Sequence, residues 1–291
     1  MSDVAEALAP AKVNLFLHVG PPAADGYHPL ASLVAFADVG DRVRLRRAEA
    51  GAFEVTGAFA GALAGETDNL VTRALSAFAA AVGAPAAFAA TLDKQLPVAA
   101  GLGGGSSDAG AALRLANHLA GAPLSPAALE AIAAALGADG PMCLRAETAW
   151  ATGRGDALQP ETRLPPLAAV LVNPGAPSPT GAVYRAYDAA VTGAADLPQP
   201  PAEWSVAEVI AWLAAQRNDL EAPAVRLEPR IGEALAAVRA DPGVALARMS
   251  GSGATVFGLC RDTAMAEAAA GRLQAAHPDW WIRPCRLAGA A

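Results

Sequence analysis

The stretch Leu96-Pro97-Val98-Ala99-Ala100-Gly101-Leu102-Gly103-Gly104-Gly105-Ser106-Ser107 decides the reading of this chain. Glycines at 101, 103, 104 and 105 let backbone N–H groups crowd an anion without side chains in the way. A helix is expected directly behind them, with Ala112, Leu115, Ala116 and Leu119 as its apolar face and Gly121 as its end. Its N-terminus would add partial positive charge. Ser106, Ser107 and Asp108 are the N-cap candidates. The Ser106 and Ser107 hydroxyls can donate to phosphate or help hold a magnesium ion. Nucleotide phosphates are therefore expected along Gly101, Leu102, Gly103, Gly104, Gly105, Ser106 and Ser107. A plain glycine-rich turn into a capped helix is the competing reading.

Other glycine motifs fail in detail. A Walker A loop needs Lys-Ser/Thr after its last glycine, but Ala111-Ala112 follow Gly110. The dinucleotide fingerprint needs glycine where Ser106 stands. No Gly-x-Ser-x-Gly elbow occurs, nor the His-Arg-Asp and Asp-Phe-Gly motifs of protein kinases. A serine hydrolase built on Ser106 or Ser107 would need a base that the sequence does not name.

Upstream of the loop, Ala11 to Val19 begins with strand alternation, and Ala31 to Ala37 and Asp41 to Arg47 read as two further strands. In the second of these, Arg42, Arg44 and Arg46 alternate with Val43 and Leu45. A helix is expected over 69–81 and a strand over 86–92. Downstream, Ser125-Pro126 opens a helix that Gly137 stops. The composition shifts near Gly153 to Pro166. A strand then spans 168–172, and a strand-turn-strand-helix-strand run fills 244–286. Leu197 to Ala202 reads as a surface loop. The fold class is α+β in both halves. Residues 1–157 are expected to form a nucleotide-phosphate-binding and catalytic domain, and 158–291 a C-terminal α+β domain.

Bulk properties narrow the function. At 291 residues and a net charge of -7, the chain carries no fold-wide basic field for nucleic acid. Cys143, Cys260 and Cys285 form no CxxC pair, which argues against a disulfide framework or structural zinc and fits a reducing cytoplasm. The N-terminus has no basic run of a signal peptide, and the alanine-rich stretch from Ala74 to Leu92 is broken by Gly83 and Pro85. A soluble enzyme is expected.

Three separated segments carry a resemblance: Pro10-Ala11-Lys12-Val13-Asn14-Leu15, the glycine loop, and Met249-Ser250-Gly251-Ser252-Gly253-Ala254. In this order they resemble the galactokinase, homoserine kinase, mevalonate kinase and phosphomevalonate kinase (GHMP) superfamily over nearly the whole chain. Asp25-Gly26-Tyr27-His28, Asp68-Asn69-Leu70, Leu102 through Ala109, and Gly137-Ala138-Asp139 resemble one branch of it. That branch phosphorylates a cytidine diphosphate conjugate of methylerythritol in non-mevalonate isoprenoid precursor synthesis.

The resemblance implies a two-domain architecture with the active site in the cleft, a ferredoxin-like C-terminal domain, and ATP with Mg2+ as cofactors. It implies a small-molecule substrate, with no nucleic acid, membrane or protein partner, and it marks no residue as a metal ligand. Asp139 falls at the family's catalytic aspartate and Lys12 at its partner lysine. Such a carboxylate can accept the hydroxyl proton while the ammonium orients it and stabilises the transferring group. Tyr27 and His28 suit the cytosine ring, with Tyr184 closing its other side. Asn14 and Thr180 resemble acceptor contacts, and Asn69 and Lys94 the ATP base and ribose side. For Ser250 to Ala254 the choice between a loop near the phosphates and a plain hairpin stays open. Two departures from the branch stand out. Gly140, followed by Met142-Cys143, is expected to loosen the backbone beside Asp139. Asp108 replaces a commoner asparagine. Another kinase of the superfamily, a serine-dependent amidohydrolase and a non-catalytic nucleotide-binding module are the alternatives.

Overall fold

The computed structural model describes residues 3–24, 26–66, 68–83, 87–189 and 194–288. Asp25 of the Asp-Gly-Tyr-His segment lies outside them. In chain order the elements begin with β1 (Val4–Val19), β2 (Leu30–Arg47), β3 (Ala52–Thr56), α1 (Leu70–Val82), β4 (Phe88–Asp93), α2 (Gly104–Leu119), α3 (Pro126–Leu136) and α4 (Gly140–Arg145). There follow β5 (Ala149–Thr152), β6 (Ala157–Pro160), β7 (Leu167–Asn173), α5 (Thr180–Asp188), α6 (Val206–Ala214), α7 (Glu221–Leu227), α8 (Pro229–Ala240), β8 (Val244–Met249), β9 (Val256–Cys260), α9 (Thr263–Ala276) and β10 (Trp281–Ala288). This is an α+β chain. Among the described residues, no helix is long and apolar enough to cross a membrane.

Two compact units divide the chain, and they interleave in sequence. One takes residues through Ala11, Gly40–Val98 and Gly103–Ala146. The other takes Lys12–Val39, Ala99–Leu102 and Glu147 onward. The expected division at 157/158 is a different partition, one of order along the chain.

In the first unit, β4 pairs antiparallel with the end of β2, Arg42 opposite Asp93 and Leu45 opposite Ala90, and pairs parallel with β3. Val43 and Leu45 are buried between exposed arginines, which is the alternation that marked this strand. Helices α1 to α4 pack with one another, and Val71, Phe78, Leu113, Leu115 and Leu129 bury their apolar faces in one core with Val43, Leu45 and Leu92. Asn69 caps α1, Ser125 caps α3, and Gly83 ends α1 in the left-handed conformation.

In the second unit, antiparallel ladders join β10 to β7, β7 to β9, and β9 to β8. With α8 and α9 between their strands, these form a β-α-β-β-α-β run in the spatial order β10-β7-β9-β8. Its core gathers Val170, Val172, Ile231, Leu235, Val256, Leu273 and Ile282. Asp262 caps α9, its side chain accepting from Met265 N.

Three expectations are corrected. The strands read over 31–37 and 41–47 are one strand, β2. Gly40-Asp41 favours a turn in isolation, but the Asp41 carboxylate is occupied by the Gln95 and Leu96 N–H groups and does not compete with the ladder. β1 starts at Val4 rather than Ala11 because β2 supplies backbone partners to an alanine-rich stretch of weak strand preference. The third concerns α4. Gly140 does not loosen the chain: it is buried inside this helix, and a Cβ there would strike the carbonyl of Ala133 on α3.

Candidate active site

Helix α2 starts three to five residues earlier than its polar cap candidates suggest. Its N-cap is Gly103, in the left-handed conformation at φ 63°, and no side chain caps it. The first helical bond joins Ser107 N–H to the Gly103 carbonyl at 2.9 Å. The expected caps therefore lie inside the helix, Ser106 and Ser107 in its first turn and Asp108 just past it. Among the described residues, no side chain accepts from the N–H groups of Gly104, Gly105 and Ser106. A helix start of this kind, with exposed Gly105 and half-buried Ser106, is an anion site by its geometry. Ser107 is buried, and its hydroxyl finds no partner among the described residues.

Beneath that turn lies an ion triad. Lys94 Nζ donates to Asp41 Oδ2 at 2.5 Å and to Asp108 Oδ2 at 2.9 Å, and all three side chains are almost fully buried. Asp41 Oδ1 accepts from Gln95 N–H at 2.6 Å and Leu96 N–H at 2.8 Å. Burial pushes Asp108 up to about 7, a shift that Lys94 opposes and Asp41 adds to. Burial alone would lower Lys94, but the charges of Asp108 and Asp41 outweigh it and raise its pKa. Lys94, read as facing the ATP base and ribose, is thus held inside the first unit.

In the second unit the first segment of the glycine loop meets β1 and the 250–254 turn. Lys12, which alone would read as a solvated strand end, is buried, and its Nζ donates to Asn14 Oδ1 at 2.9 Å. Asn14 Nδ2 donates in turn to Ser32 Oγ at 2.8 Å. Lys12 N–H donates to the Leu102 carbonyl at 2.8 Å, while the Leu102 side chain is buried. Ser250 Oγ accepts from Asn14 N–H at 3.1 Å and donates to the Gly101 carbonyl at 3.0 Å. Thr255 N–H donates to Ala100 O. The 250–254 turn is therefore both the β8–β9 connection and a packing partner of the Ala100–Gly101 chain. Thr180 Oγ1 shares a hydrogen bond with Ser252 Oγ at 2.9 Å, and Ser178 Oγ donates to Ser252 O at 2.5 Å.

The aromatic residues form a third group, also in the second unit. The His28 ring centroid lies 4.9 Å from that of Tyr184 and 5.9 Å from that of Tyr187. His28 Nε2 donates to Asp188 Oδ1 at 2.6 Å, with Asp188 on the last turn of α5. Tyr27 is 54% exposed, and the Arg154 guanidinium lies 4.2 Å from its ring centre. One exposed tyrosine beside a histidine-tyrosine pair offers ring faces and polar edges together.

Asp139 is half-buried at the N-terminus of α4, where its carbonyl accepts from Cys143 N–H at 3.0 Å. Asn69 spends its side chain on α1: Oδ1 accepts from Val71 N–H at 2.9 Å, and Nδ2 donates to Glu66 at 3.1 Å. Asp139, Asn69 and Lys94 belong to the first unit. Lys12, Asn14, Tyr27, His28, Thr180 and Tyr184 belong to the second. Asp41, Arg154, Asp188, Ser250 and Ser252 join these groups through tertiary contacts. Only Ser250 and Ser252 carried a sequence signal, as members of a glycine-serine motif.

Comparison with known proteins agrees with these features. The GHMP kinases N terminal domain matches residues 69–146, and the GHMP kinases C terminal domain matches 205–279. The chain is 60% identical over 285 residues to a 4-diphosphocytidyl-2-C-methyl-D-erythritol kinase of Caulobacter vibrioides, covering 97% of this chain and 98% of that one. It is 49% identical over 284 residues to the protein of the same name from Methylorubrum extorquens, covering 96% and 98%. A crystal structure of 4-(cytidine 5'-diphospho)-2C-methyl-D-erythritol kinase superposes with a TM-score of 0.82 at 36% identity, covering 98% of this chain and all of that one. Homoserine kinase from Cytophaga hutchinsonii shares the fold, with a TM-score of 0.71 at 19% identity over 99% and 97% of the two chains. The chain belongs to the GHMP kinases, ATP-using small-molecule phosphotransferases, and among them to the 4-diphosphocytidyl-2-C-methyl-D-erythritol kinases.

Proposed function

We propose that this chain transfers the γ-phosphoryl group of ATP to the 2-hydroxyl of 4-diphosphocytidyl-2-C-methyl-D-erythritol, a cytoplasmic step of non-mevalonate isoprenoid precursor synthesis. The observation that carries the reading is the uncapped N-terminus of α2 behind the glycine loop. Its N–H groups and the Ser106 hydroxyl receive the ATP phosphates. Magnesium accompanies the nucleotide and supplies charge neutralisation. Among the described residues no three His, Cys, Asp or Glu side chains gather to hold a metal by themselves.

Asp139 accepts the proton of the acceptor hydroxyl, and Lys12 stabilises charge on the transferring group. Asn14 and Thr180 contact the methylerythritol part. Tyr27, His28 and Tyr184 hold the cytosine by stacking and by hydrogen bonds to its edge. The exposure of Tyr27 and the pairing of His28 with Asp188 support this role. Asn69 borders the nucleotide base, and Lys94 serves the same ligand from beneath the loop. Residues 1–157 carry the phosphates and the base, and 158–291 form the ferredoxin-like part.

The test is turnover. Purified protein with ATP, magnesium and the cytidine diphosphate methylerythritol conjugate should release ADP. Turnover of homoserine or mevalonate in its place would overturn the substrate assignment. Asp139→Asn should abolish transfer while ATP still binds, and a retained rate would remove Asp139 as the base.

A further inference from the structure

The chain between β4 and α2 is the glycine loop, and both of its ends within the first unit meet one buried ammonium. At the upstream end, Lys94 itself, Gln95 and Leu96 are tied to Asp41 on β2. At the downstream end, Lys94 Nζ donates to Asp108, the fifth residue of α2. Gly104 sits so close that a Cβ there would lie 3.0 Å from the ammonium. Lys94 is 3% exposed, and its ammonium already serves two carboxylates. Two carboxylates around one cation leave an excess negative charge. A proton on Asp108 would cancel it, and the elevated pKa of that group agrees. Asp108 Oδ1 is buried without a hydrogen-bond partner among the described residues, and a buried ion network of this kind fixes geometry more than it adds stability.

We infer that Asp41, Lys94 and Asp108 are positioning residues for the phosphate loop, so that Lys94 acts on the nucleotide through the spacing of the loop ends and not by touching it. The inference rests on the phosphate reading of the loop given above. The ammonium holds the start of the loop and the start of α2 at one distance, which keeps the N–H groups of Gly104, Gly105 and Ser106 aimed at a common point.

Asp108→Leu tests this in the full chain, because it leaves Lys94 and Asp41 as a charge-balanced pair and cuts only the tie to α2. ATP binding is measured by calorimetry, together with steady-state kinetics and thermal melting. The expected result is a rise of about tenfold in the ATP dissociation constant and KM, the size of one lost charge-assisted hydrogen bond. The kcat and the acceptor KM should stay within about twofold. Asp108→Asn, which keeps an oxygen for Lys94, should restore ATP affinity to within about twofold of the wild type. A lowered melting temperature with unchanged ATP affinity would make the triad merely structural and overturn the inference. So would unchanged affinity in Asp108→Leu with a loss in Lys94→Met, which would mean direct contact. If Asp108→Leu does not fold, Asp41→Asn leaves the other balanced pair and should weaken ATP in the same way. A wild-type protein that binds no ATP would instead defeat the phosphate reading itself.

Discussion

Two glycine-serine segments, Gly101 to Ser107 and Ser250 to Ala254, look alike in sequence and behave differently in the fold. Both use the left-handed region, at Gly101, Gly103, Gly251 and Gly253. The first runs into a helix whose opening N–H groups meet no capping side chain. The second joins two strands and is buried, with its polar groups occupied: Ser250 N–H by Thr255 O, Ser250 Oγ by Gly101 O, and Gly251 O by Asn218. Glycine alone therefore marks permissive backbone, not a ligand site. The element directly behind the glycines, helix or strand, decides whether their N–H groups stay available.

Breaking the support of the second turn should have the largest effect. Asn218 Nδ2 donates to Met249 O and Gly251 O at 2.8 Å each, and its Oδ1 accepts from Leu220 N–H at 3.0 Å. Asn218→Ala leaves buried groups unpartnered and should destabilise by about 3 kcal/mol, read by denaturant unfolding. A loss below about 1 kcal/mol would mean that the turn is held elsewhere. Next, Gly251→Ala should destabilise by about 2 kcal/mol, because φ is 55° and a Cβ would lie 3.3 Å from both Asn14 Oδ1 and Gly101 O.

The same replacement in the first loop, Gly105→Ala, should leave the melting temperature nearly unchanged. There the helix gains from alanine and the crowding is against the flexible Leu70 side chain. Equal losses at 105 and 251 would erase the contrast. Ser106→Ala should raise the KM for ATP about tenfold, whereas Ser107→Ala should change it less than about twofold, since Ser107 is fully buried. The reverse order would put the phosphate on Ser107.

The smallest effect at neutral pH, and the most diagnostic of the triad, concerns Asp108. Its pKa rises from 3.8 to about 7 on folding, chiefly through burial. The folded state then holds the proton more tightly. The contribution to stability is fully present below 3.8 and is lost as pH rises toward about 7. Asp108→Asn should flatten the decline in melting temperature between about pH 4 and 7. An unchanged slope would assign that titration to another group.

Much of the fold was legible from local rules. Strand alternation marked Arg42 to Arg47, and Ser125-Pro126 and Gly137 bracketed α3, because caps and periodicity are short-range effects. Helices α5 to α8 escaped this reading. They run seven to twelve residues with prolines at 223 and 229, too short for periodicity to speak before packing fixes them. Within the candidate site, Tyr27, His28 and Tyr184 were legible through resemblance, and His28 and Tyr184 meet in the fold. Asp188 and Arg154 were not, because each reaches its aromatic partner from a position remote in the chain.

By itself the sequence determined the α+β class, the glycine loop with a helix behind it, and the kinase family, since these rest on local residue order. Only the tertiary structure decided which polar groups remain available. It moved the cap of α2 to Gly103, buried Ser107, and placed Lys94 between Asp41 and Asp108. Those outcomes depend on desolvation and on partners 14 to 53 positions away, a distance over which local pattern carries no information.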